Sequence, residues 1–180
     1  MSAVIRGPRR IGLNAVSWHA PNATGQSVKF KMAGYAGIIA HFERLKGSVI
    51  LGFDSNHWNL DTALAPNPPP EPGSSDWYLE NLFFSASPPH ALRDAFLDYL
   101  VDNPAEHARI LEERPEGPLA VTYVRGSKAR PQPDRFDYVF ISEHFSVERV
   151  AHNYEASVEA GSDHATVQAD LRVHSIGGPT

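Results

Sequence analysis

Between Ile11 and Phe53 the hydrophobic pattern changes period twice, and this limits the architectures open to the chain more than any other feature. Ile11 to Val16 is short and apolar-rich, and reads as a strand that delivers His19 into a loop broken by Pro21, Asn22 and Gly25. From Val28 to Leu45 the apolar residues Val28, Met32, Tyr35, Ile38, Ile39, Phe42 and Leu45 recur at helical spacing, with Gly47 as the stop. Gly34 and Gly37 either weaken this amphipathic helix or let it pack closely against a sheet. Ser48 to Phe53 then reads as a buried strand. Strand, helix, strand in that order predicts a layered α/β arrangement.

The rest of the chain continues the alternation. Ala65 to Ser75, rich in proline and polar residues, reads as an exposed loop, either a plain connector or a substrate-facing one. Trp58 and Trp77 flank it, to pack on the body or to stack on a base. Ala91 to Val101 returns to helical spacing, and Pro104 opens a second short helix to about Glu113. Leu119 to Val124, Phe136 to Ser142, Val147 to Tyr154 and Ala165 to Val173 are strand-like, the last with clear alternation. The tail from Ser175 to Thr180 is expected to fray.

With 180 residues, 42% of them hydrophobic, the chain can bury a core as a single domain over 1–180. The absence of cysteine excludes disulfides, thiolate metal sites and cysteine nucleophiles. A net charge of −5 gives no electrostatic reason for tight non-specific binding of nucleic acid. No segment approaches the roughly 20 apolar residues of a membrane-spanning helix, and the start lacks a signal-peptide core. A cytoplasmic location is the expectation.

Chemistry-bearing residues collect where strand-like runs begin or end. Asp54 and Asn56 follow Val49-Ile50-Leu51; a carboxylate that orients water and an amide that donates to a phosphate oxygen would face one cavity if the backbone stays extended. Asp54-Ser55-Asn56 reads equally as a turn closed by local side-chain hydrogen bonds. Asp163 and His164 share a role only if the backbone turns after Gly161 and Ser162; Asp163 would then bind a hard cation such as Mg²⁺ while His164 faces a phosphate. Asp137 opens the run Tyr138-Val139-Phe140-Ile141, where an unpaired carboxylate is costly. Its partner is either His164, whose ring it would orient, or Arg135. His19, between a strand and Pro21, lies in a loop. The other histidines have no metal-site spacing, and there is no Walker loop, nucleophile elbow or dinucleotide fingerprint.

In order, these pieces resemble the later part of the endonuclease/exonuclease/phosphatase superfamily, of which deoxyribonuclease I is a member. Val49-Ile50-Leu51-Gly52-Phe53-Asp54-Ser55-Asn56 resembles its "GDFN" strand, with Phe53 in place of the second glycine and Ser55 in place of the phenylalanine. Asp134-Arg135-Phe136-Asp137-Tyr138-Val139-Phe140 resembles its "RIDYIF" strand, and Ser162-Asp163-His164-Ala165-Thr166-Val167 its "SDHxPV" ending. Ser17-Trp18-His19-Ala20-Pro21-Asn22 looks like its earlier histidine segment, and Leu92 to Phe96 with Thr122-Tyr123 resembles the weaker connection between the motifs.

The resemblance implies a deoxyribonuclease I-like layered α/β sandwich, two mixed sheets flanked by helices, and a metal-dependent phosphoesterase, nuclease or phosphatase. Asp54 would position or deprotonate the attacking water, Asn56 would hold the phosphate, and His19 would assist the leaving group. Asp163 would contribute to the site for Mg²⁺ (or Mn²⁺), and His164, braced by Asp137, would contact the phosphate oxygens. The substrate would be a phosphate ester; nucleic acid is compatible with the family but not favoured by the charge. The sequence also departs from the family. No asparagine-bearing first strand and no Gln-Glu strand is found, and only Met1 to Arg10 precedes the His19 segment. The expectation is therefore an N-terminally incomplete domain lacking its first strands, completed by a missing segment or a partner chain. The alternative is a catalytically inactive remnant or binding module without the main metal-ligand glutamate.

Overall fold

A computed structural model describes residues 2–6, 12–22, 28–57, 71–85 and 87–174. Strand β1 (Ser2–Arg6) runs antiparallel to β2 (Gly12–His19). The helix α1 (Val28–Phe42) carries the chain across to β3 (Ser48–Asp54), which lies parallel to β2. This is the predicted strand–helix–strand unit, and a parallel pair requires such a crossover. Gly47, at φ 88°, supplies the left-handed turn between helix and strand that a residue with a Cβ adopts only at a cost.

Two further helices, α2 (Ser75–Phe83) and α3 (Ala95–Asp102), bracket the short strand β4 (Arg93–Asp94), and α4 (Pro104–Glu113) follows with proline in its first turn. A hairpin of β5 (Tyr123–Ser127) and β6 (Arg130–Asp134) leads to β7 (Asp137–Ile141). The last hairpin, β8 (Phe145–Asn153) and β9 (Thr166–Val173), encloses the short helix α5 (Tyr154–Glu159). The principal sheet is mixed, in the order β1-β2-β3-β7-β4, and β5–β6 and β8–β9 form two-stranded antiparallel sheets.

The period-two alternation of β2, β3 and β7 divides the core into two layers. Val16, Val49, Leu51, Phe53, Tyr138 and Phe140 face Tyr35, Ile39 and Phe42 of α1 and Phe83 of α2. The opposite face, including Leu13, Ile50, Val139 and Ile141, packs with α3, α4 and the β8–β9 hairpin. Of the two helical glycines, Gly34 lies against Trp18 and Pro21, where an added Cβ would make van der Waals contact at 3.5 Å; Gly37 has open space around it.

Several elements differ from the sequence expectations. The strand expected over Leu119 to Val124 begins only at Tyr123, His19 is the last residue of β2 rather than a loop residue because it still pairs with Asp54, and β1, β6, α2 and α5 have no counterpart among the expected elements. Helix α3 begins at Ala95 rather than Ala91, because Asp94 pairs in β4 and then caps the helix, its Oδ1 accepting from the Phe96 N–H at 2.9 Å. Ile11, Gly25, Trp58, residues 65–70 of the proline-rich stretch and the tail from Ser175 lie outside the described residues.

The same Asp94 carboxylate accepts from Arg135 Nη2 at 2.8 Å, and the Arg135 guanidinium lies 4.9 Å from the Phe96 ring centre and 4.4 Å from that of Tyr138. Arg135 is 2% exposed, so removing Asp94 takes away a carboxylate that offsets a buried cation. Asp94→Ala should lower the unfolding free energy by about 3–5 kcal/mol, measured by equilibrium urea unfolding.

Candidate functional site

The strand register sets the site. Trp18 pairs with Phe53 and Phe53 with Tyr138; one residue on, His19 pairs with Asp54 and Asp54 with Asp137. Successive side chains in a strand point to opposite faces, so the aromatic row is buried against α1 and the polar row lies on the other side. The Trp18 and Phe53 rings stack at 5.8 Å, Phe53 and Tyr138 at 5.4 Å, and Trp18 meets Tyr35 edge-on at 5.0 Å. His19, Asp54 and Asp137 thus share one edge of one sheet face. They line an open cleft of ≈ 340 Å³ with Ser17, Gly52 and Ala165.

His164 joins this row from a separate element. It bridges to Tyr123 of β5, and its Nδ1 lies 2.8 Å from Asp137 Oδ2. Thr122, fully buried, ties the two segments together. Its carbonyl accepts from Ala165 N–H at 2.7 Å, and its Oγ1 accepts from the N–H groups of Phe136 and Asp137 at 2.7 and 3.0 Å. Of the two partners that the sequence allows Asp137, the carboxylate contacts His164, whereas the Arg135 guanidinium bonds Asp94.

The chain turns immediately after β3, so Asp54 and Asn56 do not meet by extended alternation. Asn56 has φ 47°, its backbone N–H donates to Asp54 Oδ1 at 2.7 Å, and the His57 N–H donates to Ser55 Oγ at 3.1 Å. The local turn and the convergence of side chains are therefore both present. Asn56 Nδ2 lies 2.8 Å from the Ala20 carbonyl, 2.9 Å from His19 Nε2 and 3.2 Å from Asp54 Oδ2. His19 Nε2 is in turn 3.4 Å from Asp54 Oδ2. To contact a phosphate, the Asn56 amide would have to exchange one of these partners.

The structure thus brings His19, Asp54, Asn56, Asp137 and His164 together. Asp163 is exposed at the rim beside His164. Ligand atoms of Asp54, Asp137 and His164 all lie within 4.8 Å of one another. Two carboxylates and an imidazole at this spacing fit a hard or borderline divalent cation. Asp163 is not in that group, although its charge acts on His164.

Burial raises the Asp137 pKa above the ordinary carboxylate value, against the opposing hydrogen bond and charge of His164. For His164, burial favours the neutral ring, but the hydrogen bond and charge of Asp137, with Asp54 and Asp163, outweigh it and raise the pKa above 6.5. A raised histidine pKa adds stability that is fully present below the unfolded-state value and is lost as pH rises through the folded-state value.

Other residues of the site carry no motif. Lys31 on α1 is 2% exposed and donates from Nζ to the Asn56 carbonyl, and burial lowers its pKa to about 8 against the charges of Asp76 and Asp54. Tyr35, one turn on, donates its hydroxyl to the Ser55 carbonyl at 2.8 Å. Burial holds His57 neutral, with a pKa of about 3, and the Lys31 charge adds to this. The signal for Lys31 was its position in line with the buried stripe Tyr35, Ile39 and Phe42.

No family profile matches the sequence, and no curated protein matches it. Solved structures do. The chain aligns with D. rerio TDP2, in a structure complexed with single strand DNA product, at TM-score 0.58 and 12% identity over 96% of its length and 60% of that chain. The human nocturnin catalytic domain gives TM-score 0.53 and 16% identity, covering 97% and 59%. The Xenopus laevis APE2 catalytic domain gives TM-score 0.52 and 16% identity, covering 97% and 56%. An endonuclease/exonuclease/phosphatase protein from Beutenbergia cavernae gives TM-score 0.53 and 18% identity, covering 96% and 38%. The chain therefore has the endonuclease/exonuclease/phosphatase, deoxyribonuclease I-like fold, and spans 60% or less of these four chains. No helix among the described residues is long and apolar enough to cross a membrane.

Replacing Asp137 by asparagine removes the carboxylate that stabilises the His164 imidazolium while burial remains. The His164 pKa should fall below its parental value, read from the imidazole signals in an NMR pH titration.

Proposed function

We propose that this chain is a phosphoesterase that hydrolyses a phosphate ester by attack of a water molecule, assisted by a divalent cation such as Mg²⁺ or Mn²⁺. The observation that carries the reading is the transverse row His19, Asp54, Asp137, joined at its end by His164. It collects two acids and two imidazoles on one edge of a sheet, at the mouth of an open cleft.

The carboxylates of Asp54 and Asp137 are the groups that would hold the cation, which leaves the His164 ring for the phosphate, with Asp163 adding negative charge beside it. When bound, such an ion supplies charge neutralisation at the phosphate and lowers the pKa of bound water. Asp54 orients the attacking water and accepts its proton, its carboxylate held in place by two hydrogen bonds from Asn56. His164, whose pairing with Asp137 favours the protonated ring, directs positive charge at the phosphoryl oxygens. His19, whose side chain is 74% exposed and whose Nε2 faces the Asn56 amide, is the group assigned to assist the leaving oxygen. The Asn56 amide, expected from sequence to hold the phosphate, is assigned instead to aligning Asp54 with His19.

The net charge of −5 favours a compact phosphate ester over a long duplex, because a polyanion would meet no excess of cations. Hydrolysis of bis(p-nitrophenyl) phosphate should therefore require added Mg²⁺ or Mn²⁺ and should fall about 100-fold or more in Asp54→Ala. A parent protein no faster than Asp54→Ala, with or without metal, would overturn the assignment and leave a binding module of this fold.

A further inference from the structure

The loop that carries Asn56 is held from beneath by two side chains that no motif accounts for. Lys31 and Tyr35 lie four residues apart on α1 and so project from the same face. Lys31 Nζ donates to the Asn56 carbonyl, and the Tyr35 hydroxyl donates to the Ser55 carbonyl at 2.8 Å. Two consecutive carbonyls are thus fixed by one helix turn. Both donors are buried, Lys31 at 2% exposure and Tyr35 at 0%.

These contacts act on a strained point. Asn56 sits at φ 47°, in the left-handed region that a residue with a side chain rarely adopts unless its surroundings enforce it. That conformation lets the Asn56 backbone N–H and side-chain amide both turn back onto Asp54 and lets Nδ2 reach His19. The Ser55 N–H is anchored independently to the Phe136 carbonyl at 2.7 Å, so the loop is tied to β7 on one side and to α1 on the other.

We propose that Lys31 and Tyr35 are positioning residues for the phosphoesterase site: they clamp the Ser55 and Asn56 carbonyls, impose the left-handed turn at Asn56, and so set the spacing between Asp54 and His19. The inference rests on the function assigned above. A buried ammonium is a costly way merely to fill space, since an apolar side chain of similar length packs there without a charge to desolvate. Hydrogen bonding to a backbone carbonyl that an ordinary turn leaves to water gives it a specific use.

The test compares the full chain with Lys31→Met, Lys31→Arg and Tyr35→Phe. Activity on bis(p-nitrophenyl) phosphate with Mn²⁺ reports on the reaction. The NMR signals of the Asn56 side-chain amide and the His19 imidazole report on the turn whether or not the chain turns over. Lys31→Met should lower kcat about tenfold or more with KM changed less than about threefold, because a small misplacement of a reacting group is felt in the chemical step. Lys31→Arg, which keeps a donor, should recover to within about threefold of the parent. In Lys31→Met and Tyr35→Phe the Asn56 and His19 signals should move, while those of the β8–β9 hairpin stay in place. Should Lys31→Met not fold, Tyr35→Phe carries the same expectation. A folded Lys31→Met or Tyr35→Phe protein with parental Asn56 and His19 signals overturns the clamp. A parent without metal-dependent turnover sinks the phosphoesterase reading, and the resonances still decide the clamp.

Discussion

The pleat of three adjacent strands is the constraint from which everything else follows. Because side chains alternate faces, the pairing that buries Trp18, Phe53 and Tyr138 against α1 also lines up His19, Asp54 and Asp137 on the reverse. A register slip by one residue would turn the aromatic row toward solvent and the acids into the core. The burial of Phe53 and Tyr138, each contributing on the order of 2 kcal/mol or more, with the partly buried Trp18 packed beside them, opposes such a slip. The hydrophobic effect thus fixes the polar geometry although no apolar group takes part in the chemistry.

The polar row alone would leave two carboxylates at one sheet edge without a counterpart. Asp137 is satisfied by His164, and Asp54 by the amide and backbone of Asn56. Each partner comes from a loop rather than a strand, and each loop is pinned by hydrogen bonds to main-chain groups, through Thr122 on one side and through Lys31 and Tyr35 on the other. Rigid strands supply the acids, and tethered loops supply the groups that tune them.

What the sequence discloses depends on whether a residue's role is written into the period of its own segment. The β2–α1–β3 unit is legible because each piece has a clean period, Asp137 because a carboxylate opening an apolar run is costly to bury unpaired, and Asp54 and His164 from their place at strand ends and the motifs they resemble. Strand β6, Arg-Pro-Gln-Pro-Asp, was hidden by its prolines, which normally argue against a strand. Pro131 and Pro133 alternate with Arg130, Gln132 and Asp134, so their missing N–H groups fall together on the edge away from β5. Lys31 was hidden for another reason: a lysine in an amphipathic helix reads as solvated, and only the backbone turn of a distant loop explains its burial. The alternation assumed for Asp54 and Asn56 fails at the same turn, because the strand ends at Asp54, two residues short of Asn56.

The row across β2, β3 and β7 draws on three parts of the chain that are remote in sequence. No local fragment contains more than one of its strands' functional residues, and the β3–β7 pairing closes a very long loop. Such non-local contacts assemble slowly, and late, as a domain folds. Partly folded forms of this protein, however rich in helix, would therefore lack the row of His19, Asp54 and Asp137, so the site would come into being only with the native topology itself.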